Sequence, residues 1–163
     1  MLKIALSGCC GRMGHVINDI VSGREGMEIV AGFDINTVQY ADFPIFADPF
    51  EFTGECDVIY VPTDNTAASN TEVINNVCLP AGVPVIAGEE GICKGCGVAT
   101  LSISYYDIGY KAGEMAVDIL VNGADITTMP VEFAPNVTKE YNETICKELN
   151  ITVPEDYVAI KAE

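Results

Sequence analysis

The sequence predicts one doubly wound, three-layer α/β domain over residues 1–163, in which a parallel sheet of about five strands, ordered 2-1-3-4-5, lies between layers of helix. Three observations predict it. Short apolar runs stop at glycines or polar turns, as strands buried on both faces do. Segments with apolar residues three and four apart separate those runs, and alternation of strand with helix demands parallel pairing through right-handed crossovers. The third is size: 163 residues, 49% of them hydrophobic, suit one sizeable core and leave no room for two full lobes.

Leu2 to Ser7 is the first and central strand, ending at a glycine cluster. Met13, Val16, Ile17, Ile20 and Val21 recur at helical spacing, and Gly23 stands where a helix end favours a left-handed residue. Glu28 to Asp34 is the second strand, which completes a βαβ unit in about thirty residues. Asn36 to Gly54 has no clear period; a short strand at Pro44 to Ala47 and a brief helix at Pro49 to Phe52 are expected there. Asp57 to Val61 is another buried strand, followed by a polar turn suited to an N-cap and a helix from Ala67 to Cys78. Pro80-Ala81-Gly82 breaks that helix, Val83 to Ala87 is a strand, Gly88 to Gly91 opens a loop, and Ala99 to Ser104 is a further strand. Ile108, Ala112, Met115, Ala116 and Ile119 form the cleanest helical stripe, predicting a helix over Tyr105 to Val121 that packs on the core. An extended piece at Val131 to Ala134, a helix near Lys139 to Leu149 and a tail complete the chain.

Composition narrows the function. With 24 acids against 8 bases the formal charge is −16, so a nucleic-acid backbone is repelled. The acids are scattered, as on a solvated surface, and any anionic ligand must be held by local backbone dipoles. No run approaches the twenty or so apolar residues of a membrane span. Met1 to Ser7 lack the pattern of a secretory leader, which predicts a cytoplasmic location. Seven cysteines, two of them adjacent, do not form an evident disulfide framework, so reduced thiols are expected. Cys93 and Cys96 have the spacing of a redox or zinc pair, but a zinc site wants a second pair and His15 is the only histidine, so no metal site is predicted. The Asn-x-Thr triplets at Asn136, Asn142 and Asn150 are read as chance.

The strongest chemical signal is Ser7-Gly8-Cys9-Cys10-Gly11-Arg12-Met13-Gly14, with glycines three apart between a strand and a helix. Glycine allows the tight turn and close approach, and the helix N-terminus offers N–H groups to a pyrophosphate. Asp34 is placed to accept hydrogen bonds from an adenosine ribose. The plainer alternative is that these glycines only let strand and helix pack. Nothing predicts catalysis. The serines lack a nucleophile-elbow context, and adjacent residues such as Glu89 and Glu90 diverge in a loop.

Residues 1–59, through this loop, Ile29 to Asp34 and Cys56 to Ile59, resemble the N-terminal segment of dihydrodipicolinate reductase. The resemblance implies a Rossmann-like unit binding NAD(P)H, with pyrophosphate at Gly8, Cys9, Cys10, Gly11, Arg12, Met13 and Gly14 and the ribose at Asp34. An acid there without an adjacent base favours NADH, because a 2′-phosphate would be repelled. From Val58 onward, Tyr60 to Thr66, Val83 to Gly91, Tyr105 to Gly113 and Met129 to Glu132 resemble the C-terminal lobe of an ABC-transporter substrate-binding protein of the tryptophan-receptor type. That implies a periplasmic-binding-type lobe, flavodoxin-like in strand order. Its ligand, an aromatic amino acid, would face Thr63, Asp64, Asn65, Thr66, Gly88, Glu89, Glu90, Ser104 and Tyr105.

Taken together the two resemblances predict a fusion joined near Asp57 to Tyr60: a non-catalytic receptor-type lobe carrying a dinucleotide-type loop with weak NAD(P)H affinity. The alternatives are an NAD(P)H-dependent oxidoreductase fragment and the amino-acid-binding component of an ABC transporter. The reductase's paired histidines and lysine have no counterpart, and hydride transfer needs an acceptor and a proton donor beside the nicotinamide. Exposed aromatics at Tyr105 and Tyr106 predict a homodimer.

Overall fold

Strand β1 (Leu2–Ser7) lies between two parallel neighbours, β2 (Met27–Phe33) and β4 (Val58–Val61). The computed structural model describes residues 1–134 and 136–160. Its sheet continues through β3 (Ile45–Phe46), β5 (Val85–Ala87), β6 (Ala99–Ile103), β7 (Val137–Tyr141) and β8 (Val158–Ala159), in the order β3-β2-β1-β4-β5-β6-β7-β8. The predicted 2-1-3-4-5 arrangement is its centre, β2-β1-β4-β5-β6, and every pairing is parallel except β6 with β7. The short strand expected at Pro44 to Ala47 is β3, and a 3-10 turn follows at Pro49–Glu51.

Six α-helices are described: α1 (Arg12–Ser22), α2 (Asn65–Ala68), α3 (Thr71–Cys78), α4 (Glu90–Cys96), α5 (Tyr105–Leu120) and α6 (Glu143–Glu148). Strand alternation assigns them to two faces. Ile59, Val61, Val85 and Ala87 pack with Cys78 of α3 and with Ile92, Cys93 and Cys96 of α4. Tyr60 and Leu6 point to the other face, where Ile17 of α1, Phe43 and Tyr40 meet them, and Ile86 packs there with Ile145 and Cys146 of α6. Leu6 and Ile92 are fully buried, each worth about 2 kcal/mol of transfer free energy.

Several expectations need correction. The single helix over Ala67 to Cys78 is two helices, because Asp64 caps α2 through Ala67 N–H at 2.7 Å and the chain turns again at Ser69 and Asn70. Gly88 to Gly91 is only partly loop, since Glu89 caps α4 with its carboxylate and Glu90 is already helical. Gly23 has φ −86°; the left-handed residue is Gly26, at φ +86°. Lys139 to Tyr141 belong to β7 rather than to a helix, and Val131 to Ala134 form no regular element. Asn142 starts α6 instead: its Oδ1 accepts from Thr144 and Ile145 N–H, while its Nδ2 donates to the Lys94 carbonyl at 2.9 Å.

Helix α5 forms where predicted but buries none of its residues. The cause is topological. Ile103 pairs with Val137 in the antiparallel β6/β7 ladder, so the chain that leaves the sheet after Ile103 re-enters it at Val137, beside the same residue. A parallel return would have required a crossover that lays the helix over the sheet. Ser104 Oγ accepts the Asp107 N–H at 3.1 Å and caps the helix, leaving Tyr106 78% and Leu120 83% exposed.

Candidate functional site

In open α/β sheets, ligands bind beyond the carboxyl ends of the parallel strands, where the loops to the helices gather. Here the loops after β1, β4 and β5 abut. Gly8 has φ +67°, and a Cβ built on it would stand 3.4 Å from Cγ of Pro62. A Cβ on Gly88 would fall 2.5 Å from the Thr63 amide nitrogen, so only glycine fits there. Thr63 Oγ1 donates to the Gly88 carbonyl at 3.2 Å, and Gly88 N–H donates to Val61 O at 2.8 Å.

The glycine loop has the closeness its spacing predicts. A Cβ on Gly14 would lie 2.2 Å from Cys9 O, and one on Gly11 would lie 3.3 Å from Gly8 O. Gly11 gives α1 no side-chain cap, whereas Asp64, Glu89 and Ser104 cap α2, α4 and α5. The first-turn amides of α1 therefore keep donors that only water or a ligand can satisfy. Arg12 begins that turn and no acid lies within the turn itself, so the helix start offers positive charge, with the Asp34 carboxylate as its neighbour.

Asp34 sits just past β2 and is turned into the loop. Its Oδ2 accepts the Cys10 N–H at 2.9 Å and its Oδ1 the Asn36 N–H at 3.0 Å. Tyr40, which sequence reasoning missed, donates its hydroxyl to Cys9 O at 2.7 Å and lays its ring 3.9 Å from that of His15. Its only sequence signal is an aromatic in a segment without period. Burial, and then the neighbouring Cys10, push the Cys9 thiol up to about 12, and burial raises the Tyr40 phenol to about 12. Both stay protonated at neutral pH and are poor nucleophiles.

The predicted residues thus divide. Gly8, Cys9, Cys10, Gly11, Arg12, Met13 and Gly14 form one continuous loop and helix start with Asp34 bonded to it at Cys10 N–H, and Pro62, which abuts Gly8, brings Thr63 and Gly88 alongside. Asp64, Glu89 and Ser104 spend acceptor capacity on helix caps. Asn65 and Thr66 lie in α2, with their carbonyls accepting from Ser69 and Asn70 side chains, and Tyr105 begins the exposed α5. Cys93 and Cys96 are core residues of α4, and burial raises their thiols to about 12 and about 11. A cleft of about 640 Å³ between α1, β2 and residues 40–44 lies at the opposite, amino edge; it is lined by Arg24, Met27 and Glu28 and by none of the predicted site residues.

A family model described as ABC transporter substrate binding protein matches residues 37–163. A tyrosine-binding protein of Clostridioides difficile (strain R20291) is 36% identical over 98 residues, which are 60% of this chain and 28% of that protein. The solved ligand-free, open form of a substrate-binding protein with adhesive properties from Clostridium difficile superposes with a TM-score of 0.70 at 28% identity, over 99% of this chain and 55% of its own. A 4-hydroxy-tetrahydrodipicolinate reductase of Clostridium tetani (strain Massachusetts / E88) is 31% identical over 94 residues, 58% of this chain and 36% of the reductase. The chain therefore spans little more than a quarter of the tyrosine-binding protein and about half of the solved receptor. The receptor family match begins at residue 37, inside the segment that resembles the reductase, so the two likenesses overlap instead of meeting at Asp57 to Tyr60. One receptor structure accommodates nearly the whole chain, its first βαβ unit included.

Proposed function

Since the chain belongs to the ABC transporter substrate-binding protein family, we propose that it is a non-catalytic binding lobe whose carboxyl edge takes a free amino acid with an aromatic side chain. The observation that carries this reading is the abutment of the loops at Gly8, Pro62, Thr63 and Gly88 beside the uncapped start of α1. A zwitterion suits that edge. Its carboxylate meets the α1 amides and Arg12, its ammonium meets the acids Asp64, Glu89 and Glu90, and Tyr105 offers an aromatic face. The tyrosine-binding relative supports the ligand class. Calorimetric titration with L-tyrosine and L-tryptophan tests it: saturable binding, weakened about tenfold or more by Arg12→Ala, is expected. Binding that ignores Arg12, or none to either amino acid, would overturn it.

A second reading has its own observation. The glycine loop, onto which α1 packs closely at Gly14, leaves the uncapped α1 amides open to a pyrophosphate, and Asp34 lies beside it where a ribose hydroxyl would arrive. On this reading the first βαβ unit is a reductase-type segment grafted along the β1/β4 pairing, where Ile4, Ala5 and Leu6 face Val58, Ile59 and Tyr60. When bound, NADH would supply a hydride; this chain's residues would only hold the nucleotide. Weak NADH binding, stronger than NADPH binding and abolished by Gly11→Val, supports this reading, and reduction of a dihydrodipicolinate-type substrate would contradict the non-catalytic one.

A further inference from the structure

Folding brings together three metal-type donors that the sequence leaves apart. The sulfurs of Cys9 and Cys10 lie 3.9 Å from each other, and together with a carboxylate oxygen of Asp34 all three donor atoms fall within 4.8 Å of one another. Tetrahedral bonds of about 2.3 Å from one metal ion put two sulfurs about 3.8 Å apart. We propose that Cys9, Cys10 and Asp34 bind a soft or borderline divalent cation of the zinc type, with a solvent or ligand atom in the fourth position.

The surroundings hold this donor set in place. Cys10 N–H fixes Asp34 Oδ2 at 2.9 Å, and Asn36 N–H fixes Oδ1, leaving each oxygen a further lone pair. The Tyr40 hydroxyl anchors the Cys9 carbonyl. Gly32 makes room for the buried thiol: a Cβ there would lie 2.6 Å from Cys9 Sγ and 2.7 Å from a ring carbon of Phe43. A formal charge of −16 attracts cations. Two thiolates and one carboxylate prefer zinc or cadmium to magnesium or calcium, which want oxygen alone. The exchange balances without any oxidant: two S–H bonds break, two metal–sulfur bonds form, and two protons pass to the buffer. The donor set adjoins the α1 start but uses side chains that the proposed amino-acid contacts do not, and its titration needs no amino acid present.

The test is titration of the reduced protein with Cd²⁺, following the thiolate-to-cadmium charge-transfer band and proton release in weak buffer. One equivalent and two protons per metal are expected. Cys10→Ser should halve the band and weaken binding by about tenfold or more, and Asp34→Asn should weaken binding while sparing the band. X-ray absorption of the unmodified protein loaded with Zn²⁺ should show two sulfur and two lighter neighbours, a readout that does not depend on how the variants fold. A first shell of four sulfurs, an unchanged band in Cys10→Ser, or loss of binding only on Cys96→Ser would overturn the proposal.

Discussion

Gly8 and Pro62 meet across the carboxyl edge of the sheet, 3.4 Å from a would-be Cβ to Cγ, and so join the first βαβ unit to the receptor-like strands that follow. The contact exists because β1 and β4 pair in parallel and end level with each other, Leu6 opposite Tyr60.

Gly14 sets the approach of α1 to the loop. Replacing it with alanine drives a methyl group into the Cys9 carbonyl, 2.2 Å away, and should lower stability by about 2–3 kcal/mol. Gly113 of α5 has nothing within 4 Å, so Gly113→Ala should not destabilise the protein and should raise stability by up to about 1 kcal/mol through helix propensity. Equal midpoints for Gly14→Ala and the unmodified protein would contradict this packing.

The exposed apolar surface of α5 should drive self-association into a homodimer, since contiguous apolar patches of this kind are rarely left in water. Tyr105, Tyr106, Val117 and Leu120 are all exposed. Sedimentation should show a dimer that grows with concentration and with salt, because salt screens repulsion between chains of charge −16. Leu120→Glu should shift it toward monomer. A protein that stays monomeric at high concentration and high salt counts against the prediction.

Burial makes the cysteines unequal. Cys93 and Cys96 are held in the core with their thiols pushed up, whereas Cys10 is only half-buried. Iodoacetamide at neutral pH should label Cys10 in the native protein and reach Cys93 and Cys96 only after unfolding. Peptide mapping reads the outcome, and native labelling of Cys93 at the rate of Cys10 would show the core assignment to be wrong.

Glu140 lies opposite Thr100 in the β6/β7 ladder, and its buried Oε2 has no partner. Burial and then Glu90 raise its carboxyl above 4.5, against a lowering hydrogen bond from Ser102, and the Cys93 thiol also faces it. A raised folded-state pKa favours the protonated form, so this group's contribution to stability is present in acid and lost as pH rises through the folded value. Glu140→Gln should therefore raise the unfolding midpoint at pH 7, with the gain shrinking as the pH falls through the folded value and gone below about 4.5. A less stable variant at pH 7 would reverse the sign of the argument.

Most of the parallel sheet was legible because Leu2 to Ser7, Met27 to Phe33 and Val58 to Val61 are short apolar runs that end at turns, and strands buried on both faces must look so. β7 was not legible, since Val-Thr-Lys-Glu-Tyr has no apolar alternation and takes its strand form from β6. The stripe of α5 predicted the helix correctly and its burial wrongly, because periodicity reports a face and says nothing of whether a layer lies opposite it. Glycine spacing gave the loop at Gly8 to Gly14. The roles of Tyr40, of Pro62 and of Asp34 beside both thiols arise from contacts between distant segments, which no local pattern carries.

Amide chemical-shift mapping of the isotopically labelled protein, titrated with L-tyrosine, addresses the binding edge residue by residue. The expected result is saturable shifts gathered at Gly8 to Gly14, Thr63 to Thr66, Gly88 to Glu90 and Ser104 to Tyr105. Shifts centred instead on Arg24, Met27 and Glu28 at the amino edge, or a spectrum unmoved by the amino acid, would contradict a ligand site at the carboxyl ends of the strands.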